Sequence, residues 1–421
     1  MQPSKLNMIS LAVAVALGVS ACGSDTTVNA KSSTKTTAGQ ITGFGSVFVN
    51  GVEYDTTNAS VAMEGASSAE SNLKVGMVVK LVGSVDANGT TGVASSIGFS
   101  DEAEGLVTGV FVPDAAGSTT GALKVMGQTV YITKDTLLDS DISGTPAPTA
   151  AGLVIGDWVE VSGYSAADGK IYATRIALKT AGTEVELKGV VSLLDSVAKH
   201  FMLGALLVNY DTSTTGSALT GLADGLYVEV KFPVAGALTG LQLATPTLLA
   251  SKIDIEDDGK KGEQGAESEE GEVQGKITSA LAGSVFTLNG QSITVDINTK
   301  YEDGKTNSTA DIVVGLKAEV EGKYNANGDL VATKVHFGHD EASIMEKSGT
   351  FTSYDAASHN LVFAPTGGGP AITTIVNNMT IVKDDSVAAD RYFNASKLVA
   401  GNTIEIKYDA ATFIVTRLER K

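Results

Sequence analysis

The chain has 421 residues, 43% hydrophobic but only 6% aromatic, with 47 glycines, 8 prolines and a single cysteine. That composition describes a turn-rich globular protein and excludes a collagen-like or wholly disordered one. A formal net charge of −18 argues against a broad phosphate-binding face, so nucleic acid is not expected as a partner.

In chain order the first predicted element is a leader. Lys5 supplies a positive start, and residues 9–19 are an apolar run too short to cross about 30 Å of hydrocarbon as a helix. The box Val19-Ser20-Ala21-Cys22 resembles the cleavage site of bacterial lipoprotein signal peptides. The resemblance implies that residues 1–21 are removed, that the Cys22 thiol is diacylated and that the new amino terminus takes a further acyl chain such as palmitate. Each buried methylene then contributes about 0.8 kcal/mol, and more than one chain makes the membrane anchoring durable. Gly23, where an Asp would signal inner-membrane retention, points to the outer membrane and leaves the face open. Residues 22–38 read as a polar tether. With Cys22 lipidated no disulfide can form, so the modules must hold by core burial and contact with neighbours.

The body of the chain repeats, and this sets the fold expectation. Five times a leucine or valine is followed closely by a glycine and then by strand-like alternation. The copies begin at Leu73-Lys74-Val75-Gly76, Leu153-Val154-Ile155-Gly156, Leu222-Ala223-Asp224-Gly225, Val314-Gly315 and Leu398-Val399-Ala400-Gly401. Turn dipeptides that accept positive φ, Asn88-Gly89, Asp168-Gly169 and Asn327-Gly328, lead each of the clearest copies into a second strand. Upstream lie hairpins, Val47-Phe48-Val49-Asn50-Gly51-Val52 and Phe286-Thr287-Leu288-Asn289-Gly290-Gln291, with a looser relative at 125–132. Period-2 patterning throughout, with no helical period of comparable length, predicts an all-β chain of five tandem barrel modules.

The run Gly39-Gln40-Ile41-Thr42-Gly43-Phe44, its hairpin and Leu73-Lys74-Val75-Gly76 resemble the bacterial domain of unknown function DUF5666. The resemblance is close over 39–100, good over 271–338, fair over 103–179 and weak in the third and fifth copies. It implies small OB-like barrels in tandem within exported lipoproteins and brings no catalytic residues. The expected organisation is a signal peptide 1–21, a tether 22–38, modules at 39–101, 102–181, 182–254, 271–341 and 342–421, and an acidic linker 255–270.

The remaining motifs carry little chemistry. Residues 254–272 hold nine acidic and two basic residues among four glycines, which reads as a solvated linker. Asp254, Glu256 and Asp258 alternate as in a calcium loop, but Gly265 stands where a bidentate Glu is needed. Gly304-Lys305-Thr306 ends like a P-loop, yet Thr299 replaces the first glycine and no helix follows. His336 and His339 with Asp340 and Glu341 lack the ligand set of a soft metal site, and His200 and His359 stand alone. No serine sits in a nucleophile elbow. Trp158, Tyr131, Tyr164 and Tyr172 in the second module would suit stacking on a ring ligand if exposed, and are otherwise half-buried strand residues.

The expectation is therefore a lipid-anchored cell-envelope protein that binds or scaffolds a protein or glycan partner without catalysis, cofactor or metal. The alternatives are a hydrolase whose carboxylate pair forms between modules and a cation-binding protein acting through the acidic linker. Oligomeric state is open.

Overall fold

A computed structural model describes residues 34–421 except 88, 167–169, 257–268, 290, 303, 305 and 339–342. The leader, Cys22 and most of the acidic segment lie outside the described residues, as do the Asp168-Gly169 turn, Lys305, His339, Asp340 and Glu341. What is described is nearly all β, with one short α-helix at Ala237–Leu241.

Five segments repeat one pairing scheme. In the second module the strands are Ala103–Pro113, Gly121–Val125, Gln128–Ser140, Trp158–Ser165 and Ile171–Leu178. The first pairs with the second, the second with the third, the third in parallel with the fifth, the fifth with the fourth, and the fourth with the first. The ring order is thus 1-2-3-5-4-1. The first module follows it with Thr34–Phe44, Val47–Val49, Val52–Asp55, Val78–Val85 and Thr91–Phe99. The third does so with its fifth strand broken into Thr247–Leu249 and Lys252–Ile255. The fourth and fifth modules complete the ring through the isolated bridges Ile277 to Leu288 and Ile375 to Ile414.

Two short sequence elements lock each ring. The anchor glycines Gly76, Gly156, Gly225, Gly315 and Gly401 have φ between +88° and +97°, a region that side-chain-bearing residues rarely adopt. Each N–H donates to the carbonyl of an apolar residue on the first strand, respectively Ile41, Val107, Val191, Ile277 and Phe351, at 2.8–3.0 Å. That apolar residue in turn donates its own N–H to the residue after the anchor, Met77, Asp157, Leu226, Leu316 or Asn402. Two positions before each first-strand acceptor sits another glycine: Gly39, Gly105, Gly189, Gly275 and Gly349. Close approach explains the choice at Gly39 and Gly275. A Cβ there would fall 1.9 Å from the Asn50 amide oxygen and 1.8 Å from that of Asn289. Those two asparagines occupy left-handed turns at the hairpin tips and bond back to the first strand through Ala38 O and Gln274 O. The shared Gly-x-apolar-Thr/Ser unit on the first strand is a second repeat signal beside Leu-x-x-Gly.

Alternation buries one face of every strand: Val79 and Leu81 are interior while Lys80 is half-buried. Modules one, four and five each have their own core, but modules two and three share a single one that runs from Ala103 to Ile253. Their first strands pair antiparallel at Ala103 and Glu104 against Leu187 and Glu186. The Gln128 side chain joins them again by accepting from Ala205 N–H at 3.0 Å and donating to Leu203 O at 3.1 Å.

The modules do not pack in chain order. Module one touches all four others. It pairs in parallel with module four through residues 35–38 against 270–273. It accepts the Arg391 guanidinium of module five on Leu73 O and Glu70 O at 2.5 and 2.6 Å. Module two offers Ser162 Oγ to Val78 N–H at 2.9 Å, and module three reaches Glu64 with Lys188. This corrects the expected tether: Thr34–Ala38 is strand, not linker, because it pairs on one side with residues 80–84 and on the other with module four. Glu270 likewise opens a strand where the acidic linker was expected to end.

Candidate functional site

A cavity of about 230 Å³ opens where modules one to four meet. Its apolar wall comes from Val78, Val79, Phe99 and Val273, and its polar wall from Asp101, Glu102, Tyr164, Lys188 and Tyr227. Local structure puts each polar group there. Glu64 occupies a left-handed turn, and Asp101 donates its N–H to Glu64 Oε1 at 2.8 Å. Lys188 stands just before the first-strand glycine of module three and is pinned through its own N–H to Glu102 O at 3.0 Å.

Lys188 is the hub. Its side chain is 2% exposed and its Nζ lies 2.5 Å from both Glu64 Oε2 and Ser100 Oγ, 3.5 Å from Glu229 Oε2 and 3.9 Å from Asp101 Oδ1. Burial alone would discharge this ammonium, but Asp101, Glu64 and Glu186 outweigh burial and hold its pKa above the ordinary lysine range. Burial, then the Glu64 charge, pushes Asp101 well above the usual carboxylate range, and Asp101 Oδ1 has no hydrogen-bond partner. Glu256 is pushed up to about 7 by burial against the pull of Lys188, with Glu229 adding to the rise.

Carboxylate oxygens of Glu64, Asp101 and Glu186 lie within 4.8 Å of one another, and so do those of Asp101, Glu104 and Glu160. That spacing could hold a metal ion. The charge is already met by side chains: Lys188 serves the first group, while Lys179 and Arg175 reach Glu160 at 2.7 and 3.0 Å in the second. Arg175 is 1% exposed and also contacts Asp141 at 2.7 Å. The arrangement fastens three modules by buried, paired charge, and removing one member leaves its partners short of a counter-charge.

A second buried charge group fixes modules one and four. Glu272 pairs with Lys35, and Glu319, beside it, is pushed up to about 8 by burial and by the Glu272 charge. Tyr54, in the same junction, rises to about 12 through burial, despite its 3.2 Å hydrogen bond with Thr37.

The sequence-selected aromatics are not brought together as one exposed platform. Trp158 is 3% exposed in the module-two core, its indole N–H donating to Glu104 Oε1 at 3.0 Å. Tyr164 is buried too, and lines both the large cavity and a 20 Å³ one beside it. Tyr131 and Tyr172 are half-buried and stack on each other, ring centroids 5.4 Å apart, because the parallel third and fifth strands place them side by side. Of the remaining motifs, Thr306 N–H and hydroxyl bond to Asp311 Oδ2 ahead of a short 3-10 helix. His336 Nε2 meets Glu302 at 2.9 Å.

The sequence did not single out Glu64, Asp101, Lys188 or Glu229. One signal was present: the position before the first-strand glycine reads Ala38, Glu104, Lys188, Gln274 and Ser348, so only module three places a lysine there.

No curated protein matches the chain. The family described as Domain of unknown function (DUF5666) matches residues 37–98, 104–177 and 274–336, which are modules one, two and four. The ring order in those three segments recurs at 184–255 and 344–420. The chain carries DUF5666 domains in tandem.

Proposed function

We propose that this protein is a lipid-anchored component of the bacterial outer membrane whose OB-like modules form a non-enzymatic binding scaffold for a protein or glycan partner. The five-strand ring of each module supports the OB-like reading, and barrels of that kind bind ligands on a strand face and its adjoining loops. One observation carries the scaffold reading. The buried Lys188 ammonium of module three is spent on Glu64 and Asp101 of module one and on Glu229 of its own module, so these charges serve cohesion. The lipoprotein-like box at Cys22 supports the anchor.

Mass spectrometry of the protein from membranes is expected to find an amino-terminal peptide beginning at acylated Cys22, and Cys22→Ser is expected to leave the chain unanchored. An unmodified thiol on an uncleaved leader rules the anchor out. For the scaffold, affinity capture and a glycan array are expected to retain a partner, and a blank on both counts against it.

A hydrolase acting between modules is the second reading. It is favoured by Asp101, a cavity carboxyl with a raised pKa and an unbonded oxygen. Turnover in a hydrolase panel that vanishes with Asp101→Asn would displace the scaffold reading. We expect none from the wild type.

A further inference from the structure

Resting on the binding reading above, we infer that the groove between modules one and five is a binding site for a neutral pyranose unit of a glycan. The groove encloses about 140 Å³. Pockets for drug-sized ligands start near 300 Å³, so this one takes a single ring.

Its lining is the first argument. Among the described residues, none that lines the groove is Asp, Glu, Lys or Arg, in a chain with 48 acidic and 30 basic residues. The ligand that suits it carries no formal charge. A nucleotide is disfavoured by the same fact, because phosphate recognition draws on cationic side chains.

Aromatic walls and unspent amides are the second. Phe44 and Phe393 are buried and each is held by a stacked guanidinium, Arg391 at 3.6 Å and Arg420 at 4.6 Å from the ring centroids. Phe48 and Tyr354 are half-exposed in the same groove, and the Tyr354 hydroxyl is hydrogen-bonded to His359 Nδ1 at 3.2 Å, which orients the ring. Around them stand three asparagines. The Asn377 amide oxygen is used by Met379 N–H and the Thr380 hydroxyl, and that of Asn394 by Ser396 N–H at 3.0 Å. The amide nitrogens of Asn377 and Asn394 make no hydrogen bond among the described residues, and neither does the exposed Asn378 side chain.

A pyranose presents an apolar face of C–H groups and a rim of hydroxyls. Half-exposed rings answer the first, and amide donors, with the Asn378 carbonyl as acceptor, answer the second. Neither module has the site alone: Phe44 and Phe48 come from one, and Tyr354, Phe393 and the asparagines from the other.

The test uses the full chain on an array of neutral oligosaccharides, with sialylated glycans and a single-stranded oligonucleotide as comparators, followed by titration of the best neutral ligand. Asn378→Ala, and Asn394→Ser, which keeps the oxygen that caps Ser396, are each expected to weaken binding about fivefold, the worth of one hydrogen bond. Their melting temperatures are expected to stay at the wild-type value. The inference fails if both variants bind as tightly as the wild type, if acidic glycans or the oligonucleotide are preferred, or if no neutral glycan is retained. Retention of a protein partner equally by wild type and both variants would remove this site and leave the scaffold reading intact.

Discussion

Two module junctions of this molecule do opposite things with polarity. The cavity where modules one to four meet is lined by an ammonium and carboxylates that answer one another, whereas the groove between modules one and five is lined by rings and amides with no formal charge. In the first, the hydrogen-bonding capacity is largely consumed within the protein. In the second, amide nitrogens are left over. A buried charge network gives cohesion and geometric specificity, because any missing member is costly. Unspent neutral donors beside aromatic rings suit recognition, because a ligand can complete them. The contrast teaches that location between modules does not by itself make a binding site.

The largest effect is expected from the charge hub. Lys188→Met strands Glu64 and Asp101 without their shared cation, leaves Glu229 to Lys231 alone, and should cost on the order of 3–5 kcal/mol in denaturant unfolding. A loss under about 1 kcal/mol would mean that strand pairing alone holds the junction. Next come the first-strand glycines. Gly39→Ala and Gly275→Ala force a methyl into the Asn50 and Asn289 amides and should each cost about 1–3 kcal/mol. Gly98→Ala is the control, since its added methyl meets only Lys80 O at 3.9 Å. It should leave stability within about 1 kcal/mol of wild type.

The junction of modules one and four should show a smaller, pH-dependent effect. Glu319 has its folded pKa raised to about 8, chiefly by burial, so the folded state holds a proton that the unfolded state has released. Its contribution is therefore full below the ordinary carboxylate range and is lost as pH rises toward about 8. Glu419 works the other way: although burial opposes it, Arg417 and Lys421 hold its pKa down to about 2, so its contribution is lost only in strong acid. Glu319→Gln should flatten the decline of melting temperature between about pH 5 and about pH 8, and an unchanged slope would remove Glu319 as its source. The smallest effect concerns the single tryptophan. Buried Trp158 should emit in the blue and resist acrylamide quenching until modules two and three unfold together, as their shared core requires. Two separated transitions would divide that core.

Much of the fold was legible because strand periodicity and turn chemistry are local. The Leu-x-x-Gly anchors and the Asn50 hairpin follow from φ preferences that any strand-turn unit must satisfy. The weak third and fifth copies keep the same ring, since pairing requires only that the anchor glycine meet a first-strand carbonyl, as Gly225 meets Val191 and Gly401 meets Phe351. Their hairpin spacings drift without touching that contact. The site was less legible. Sequence alone did not separate buried Trp158 and Tyr164 from exposed stacking residues, because inward and outward positions of a barrel strand look alike when both carry apolar rings. Glu64 and Lys188 are 124 residues apart, and no local pattern links them.

By itself the sequence determined an all-β chain, its repeat and its DUF5666 segments, because these depend on alternation, turn residues and glycine conformation within some tens of residues. Only the tertiary structure decided that module one sits against all four others, that Thr34–Ala38 is a strand, that modules two and three merge their cores and that Lys188 faces the carboxylates of its neighbours. Those outcomes depend on which surfaces meet, and complementarity between distant surfaces leaves no periodic trace in the chain that carries them.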